Sequence, residues 1–190
     1  MHIFVNNKNN IMAFYLQNIL FLYNYFIIKI KGENMRKITV VCIGNLKEKY
    51  WVDALAEYKK RISRFFELNI VELPETKILN NPSSANIMQA LKTEGLKIMD
   101  LTKGKIVCPL CIEGKQLDSP QFSKFIQQNT DNGELCFIIG SSFGLHPDVK
   151  KLGTNLSFGK ITLPHQLMRV VLLEQIYRAG TILNNIEYHK

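Results

Sequence analysis

The sequence predicts one α/β domain built on a parallel sheet with helices on both faces. Three observations predict it. Continuous apolar runs recur along the chain, as expected for strands covered on both sides. The segments between them carry helical spacing, and no Pro- or Gly-rich linker breaks the alternation. The chain has 190 residues, 46% of them hydrophobic, which suffices for a buried core without covalent staples. Four cysteines are too few for a disulfide framework, so free thiols are expected. Composition excludes collagen-like and low-complexity chains, and no internal repeat is visible. The balance of 24 Lys+Arg against 16 Asp+Glu suits an anionic partner without identifying one.

Ile38–Ile43 (ITVVCI) is the first strand, ended by Gly44-Asn45. From Lys47 to Phe66 the period becomes helical, with Leu55, Tyr58, Ile62 and Phe65 on one face. Lys59, Lys60, Arg61 and Arg64 crowd the end of that helix, where the macrodipole favours cations; they also suit phosphate contacts. Leu68–Leu73 is a second strand, and Thr76–Ser84 a polar loop. Ile87, Leu91, Ile98 and Leu101 mark a second helix, stopped near Gly104. Ile106–Ile112 is a third strand, in which Pro109 is awkward because proline cannot donate to a ladder. Asp118-Ser119-Pro120 supplies an N-cap and an N1 proline for a helix with Phe122, Phe125 and Ile126 on its face. Leu135–Ile139 is a fourth strand. Pro147 opens a short helix, Leu156–His165 runs from a strand-like stretch into a loop, and Pro164 is the expected N1 residue of a last helix over Gln166–Ala179. That helix is apolar on almost every side, which predicts full burial or a subunit interface.

Residues 1–34 read differently. Asn, Ile, Phe, Tyr and Lys fill 23 of the 34 positions, and all five have codons rich in A and T. Ile11–Ile30 is about long enough for a membrane span, but Gln17, Asn18, Asn24 and Lys29 interrupt it, and no small-residue cleavage site follows. Lys31-Gly32-Glu33-Asn34 can be encoded by AAA-GGA-GAA-AAY, a purine-rich stretch just upstream of an ATG, like a bacterial ribosome-binding site. Met35 is therefore expected to be the start, and 1–34 a translated leader; a membrane anchor and a structured extension are the other readings. Without Lys8, Lys29, Lys31 and Glu33, the remaining 156 residues hold 21 basic and 15 acidic side chains.

Three places can carry chemistry. Gly140-Ser141-Ser142-Phe143-Gly144 follows a strand and precedes a helix, a generic anion- or nucleotide-binding arrangement, though neither G-x-G-x-x-G nor a P-loop. Leu156–His165 leads into the last helix, which carries Arg169, Glu174 and Arg178. Glu174 and Arg178 at i, i+4 can pair with each other; arginines can also fork onto phosphate or base edges. The terminal Tyr188-His189-Lys190 can fray or stack on and hydrogen-bond a base. Cys108-x-x-Cys111 has no second pair at metal spacing, and no metal is expected.

From Met35 to Lys190 the chain resembles the RlmH family, bacterial large-subunit rRNA (pseudouridine-N3)-methyltransferases of the SPOUT superfamily. The resemblance rests on ITVVCIGNLKEKYW, LCIEGKQLDS, FIIGSSFGL, LSFGKITLPHQLMRVVLLEQIYRA and the terminal YHK. It implies an α/β fold with a C-terminal trefoil knot, a homodimer, and a cytoplasmic enzyme acting on the helix 69 loop of 23S rRNA in assembled ribosomes. The implied cofactor is S-adenosylmethionine. By matching motif its contacts are Leu110, Gly140, Phe158, Gly159, Lys160, Ile161, Thr162 and Leu163. Arg169 or Arg178 would stabilise the forming imide anion, His165 or His189 would take its proton, and Tyr188 would stack on the base. Lys47, Lys49 and Lys59–Arg64 would meet phosphates. Two departures stand out: Ser141 where the family usually has a second glycine, and Gly159 where it usually has serine. They motivate a competing reading, a non-catalytic RNA- or ribosome-binding protein on the same scaffold. A membrane-tethered enzyme would require residues 1–34 to be genuine.

Overall fold

The computed structural model describes residues 35–78 and 80–188. The expectations for residues 1–34 and for His189 lie outside the described residues. The elements run β1 (Lys37–Ile43), α1 (Lys49–Ile62), β2 (Glu67–Leu73), α2 (Ser84–Leu101), β3 (Ile106–Gln116), α3 (Ser119–Asn132), β4 (Leu135–Ile139), α4 (Pro147–Lys150), β5 (Leu156–Ser157) and α5 (His165–Leu183). They form one five-stranded sheet in the order β2-β1-β4-β3-β5, parallel at every pairing.

Strand alternation sorts the core into two layers. Ile38, Val40 and Cys42 of β1 point to the face covered by α1, α3 and α5, where they meet Ile62, Phe122, Ile126, Leu172 and Ile176. Val41 and Ile43 point to the other face, against Ile98 of α2 and Val149 of α4. β1 and β4 lie inside the sheet and are buried almost throughout. Each such aliphatic side chain contributes roughly 1.5–3 kcal/mol by leaving water.

Capping chemistry sets the helix starts. Asp118 accepts from Gln121 N at 2.7 Å, and Gln121 Oε1 accepts from Asp118 N, closing a capping box. Ser83 caps α2 through Asn86 N. Proline positions shift by one from expectation: Ser119 opens α3, so Pro120 is its second residue, and Pro164 is the N-cap of α5. Both positions lack a helical acceptor, so the missing N–H costs nothing.

Pro109 also finds its reason. β3 pairs with β4 from Ile106 to Pro109 and turns to β5 at Leu110. The proline stands where the strand changes neighbours, at the end of a ladder. No helix among the described residues is long and apolar enough to cross a membrane.

Candidate active site

A cleft of about 790 Å³ opens at the carboxyl ends of β3 and β4. Its walls are the middle of β3, just past the end of its ladder with β4, the turn between β4 and α4, and the loop from β5 into α5. Of the eight implied cofactor positions, Leu110, Gly140, Phe158, Gly159, Ile161, Thr162 and Leu163 line it. Lys160 is exposed and does not. Segments far apart in sequence thus meet in one cavity, at the position where parallel α/β sheets bind ligands.

The local sequence explains the walls. Gly140 packs under the turn: a Cβ there would stand 2.3 Å from Gly144 O, so no larger residue fits. The turn is closed by Gly144 N donating to Ser141 O at 2.9 Å. Its left-handed residue is Gly144, with φ 86°. Ser141 does not need a positive φ, so the departure from Gly-Gly is accommodated without strain. Gly159 has φ 136°, a conformation that favours glycine. Ser157 Oγ accepts from Gly159 N at 3.2 Å and donates to Gly159 O at 2.9 Å, which fixes the loop's entry. Beyond it, the backbone N–H groups of Lys160, Ile161, Thr162 and Leu163 donate to no other described residue. Free donors beside apolar walls of Leu110, Ile112, Ile139 and Phe158 suit an adenosine-type ligand with polar edges.

Sequence reasoning missed several lining residues. Cys111, Ile112 and Glu113 follow Leu110 along β3, and Lys150 enters from α4. Glu113 and Lys150 form an ion pair at the mouth. The hydrogen bond from Lys150 holds the Glu113 carboxyl below its ordinary value. The signal for Glu113 was its place in LCIEGK; nothing in the sequence signals Lys150. Cys111 is half-exposed, and burial pushes its thiol up, while Cys108 is buried in the α1/α3/α5 layer. Among the described residues no three His, Cys, Asp or Glu side chains are grouped to hold a metal.

The candidate catalytic residues separate. His165, the first residue of α5, lines the cleft. Arg169, one turn on, is 0% exposed and does not line it. Its Nη1 pairs with Glu72 Oε1 at 2.6 Å, and its Nη2 donates to Ile43 O at 2.9 Å and Gly44 O at 2.7 Å. The structure thus gives Arg169 a different task from the expected one: it ties α5 to the carboxyl ends of β1 and β2. Arg178 lies about 20 Å along the helix from His165, at 1.5 Å per residue. It pairs with Glu174 at 2.6 Å, and its guanidinium sits 4.9 Å over the Tyr188 ring. Tyr188 also packs edge-on against Tyr177 at 4.8 Å. His165 and the Arg178–Tyr188 pair therefore occupy opposite ends of α5 within the chain.

A parallel sheet with a ligand cleft at its carboxyl ends, bounded by a glycine turn and a loop of free backbone donors, defines a cofactor-binding α/β enzyme. Residues 36–189 match the family model described as "Predicted SPOUT methyltransferase", and the chain belongs to that family. It is similar to "Ribosomal RNA large subunit methyltransferase H" of Lactobacillus helveticus, 48% identical over 157 residues, 80% of this chain and 99% of that one. The same-named protein of Streptococcus sanguinis is 46% identical over 158 residues, 81% of this chain and 99% of its own. Among solved structures, the SpoU methyltransferase AviRb from Streptomyces viridochromogenes, crystallised with AdoMet, aligns with TM-score 0.38 and 10% identity, covering 76% of this chain and 60% of that one.

Proposed function

We propose that this methyltransferase acts on N3 of a pseudouridine in the helix 69 loop of 23S rRNA, in assembled ribosomes, with S-adenosylmethionine as donor. The observation that carries the reading is the meeting of Leu110, Gly140 and the 158–163 loop around one cleft. Its relatives, named as ribosomal RNA large subunit methyltransferases, support the RNA class. Bound in the cleft, S-adenosylmethionine supplies an electrophilic methyl group on a sulfonium.

This chain's residues do the rest. Leu110, Ile112 and Phe158 give the cofactor an apolar bed and exclude water. The free N–H groups of residues 160–163 bond its polar edges. His165, at the cleft, is the candidate to accept the imide proton; His189 is the alternative from the resemblance. Arg169 acts through the fold, as a positioning residue. Arg178 and Tyr188 serve a homodimer in which the C-terminal end of one copy stands beside the cleft of the other. The half-buried apolar side chains Val170 and Val171 on α5 support such an interface. A trefoil knot fits the close backbone crossings: a Cβ on Gly153 would stand 1.9 Å from Val107 O. The exposed Lys47, Lys49, Lys59, Lys60 and Arg64 serve as phosphate contacts, alongside Arg61, which also pairs with Glu57. The reading places the enzyme in the cytoplasm, with residues 1–34 as a translated leader.

The test is methyl transfer from labelled S-adenosylmethionine to purified ribosomes that lack the modification, followed by nucleoside analysis. The label should appear in N3-methylpseudouridine. Label in another nucleoside, or none, would refute the substrate.

A further inference from the structure

A second cavity, of about 420 Å³, adjoins the cleft. It lies between the end of β3, the start of α3, β5 and the middle of α5. Leu156, Ser157 and Phe158 belong to the walls of both cavities. Phe158 is 37% exposed, and its ring meets Phe122 edge-on at 5.7 Å between centroids. Phe122 and Phe158 thus both line the cavity and give it an aromatic wall, the kind of surface on which a base stacks.

Its rim is polar and ordered. Ser119 Oγ donates to Gln175 Oε1 at 3.0 Å. Gln175 Nε2 donates to Glu174 Oε2, and Glu174 Oε1 accepts from Arg178 Nη2 at 2.6 Å. A chain of bonds thus runs from the cavity to Arg178 and, through its ring contact, to Tyr188. Along α5 the cavity stands between His165 and that end. The Gln175 amide keeps spare capacity, because Oε1 has a second lone pair and Nε2 a second hydrogen.

We infer that this cavity is the subsite for the target nucleobase, and that the Gln175 amide determines its specificity. The inference rests on the proposed pseudouridine substrate. With N3 turned past Ser157 and Phe158 toward the cleft, where the methyl donor would lie, a pseudouridine presents O2 and N1–H side by side. The amide matches that edge: Nε2 donates to O2 and Oε1 accepts from N1–H. Uridine has its sugar on N1 and no hydrogen there, so it loses one bond of the pair. A site built to bond a group discriminates strongly against an analogue that lacks it.

The test compares wild type, Gln175→Leu and Ser119→Ala on two ribosome preparations, one with pseudouridine and one with uridine at the target. S-adenosylmethionine affinity is measured in parallel by calorimetry. Gln175→Leu should lower kcat/KM on pseudouridine ribosomes roughly tenfold or more and collapse the preference over uridine by a similar factor, with cofactor affinity within about twofold. Ser119→Ala frees the amide to turn and should lower the preference less. An unchanged preference in Gln175→Leu overturns the inference, and so does a loss of cofactor affinity that accounts for the whole effect. Amide NMR of the intact protein with millimolar free pseudouridine separates this failure from failure of the ribosomal reading. Shifts at Ser119 and Ser157 that vanish in Gln175→Leu support the subsite even if ribosomes are not the substrate; no shift in wild type overturns it.

Discussion

Replacing Arg169 measures how the site is held. Its guanidinium is fully buried and makes three bonds, to Glu72, Ile43 O and Gly44 O. Arg169→Ala leaves two strand-end carbonyls and a carboxylate without their partner. Breaking a buried ion pair by removing one side costs about 3–5 kcal/mol. Glu72 is 34% exposed at its side chain and can hydrate, which favours the lower half of that range. For a domain of this size the loss corresponds to about 10 °C in Tm. Arg169→Lys should fall between, because an ammonium cannot reproduce the fork to two carbonyls and a carboxylate. Glu72→Gln leaves the buried guanidinium without its counter-charge and should cost about 2–3 kcal/mol, less than Arg169→Ala because the amide still accepts a hydrogen bond. Urea unfolding followed through Trp51, the single tryptophan, reads each value. An Arg169→Ala protein within 1 kcal/mol of wild type, but inactive with its cofactor bound, would refute the positioning role and restore a catalytic one.

Other perturbations separate the remaining claims. His165→Ala should abolish most turnover while leaving cofactor affinity within a few-fold; unchanged single-turnover rates would remove His165 as proton acceptor. Cys111 should be the first thiol alkylated in the folded protein and should be protected by S-adenosylmethionine, since Cys42 and Cys136 are buried with thiols pushed up to about 12. Mass spectrometry of the modified peptide decides it, and prior labelling of Cys42 or Cys136 would contradict the packing. Burial works against the Glu134 carboxylate, but hydrogen bonds from Lys105 and Thr39 prevail and hold its pKa below the ordinary value. A depressed carboxyl contributes stability above its unfolded pKa of about 4.3 and loses it as pH falls through the folded value. The stability gap between wild type and Glu134→Gln should therefore be flat near neutrality and shrink in acid. A gap that widened below pH 4 would contradict the sign.

Much of this was legible in the sequence, for physical reasons. β1 and β4 are covered on both faces, so their apolar runs are unbroken and needed no partner to be recognised. The Asp118 cap is local chemistry and was readable within four residues. β5, with two residues, is too short to carry a period. The task of Arg169 is not legible in the sequence, because a cation on an all-apolar helix does not say where it points. Its partner Glu72 lies 97 residues away, on a strand whose end only the folded sheet brings near. The second cavity is invisible for the same reason: Gln116, Ser119, Phe158 and Gln175 come from three elements and a loop and form no motif.

The methyl donor is expected in the cleft between β3, the 140–144 turn and the 158–163 loop. A crystal structure of the protein grown with S-adenosylmethionine tests it most directly. The cofactor should lie in that cleft, touching Leu110 and Gly140 and bonded to backbone N–H groups of residues 160–163. Cofactor bound elsewhere, with this cleft empty, would contradict it.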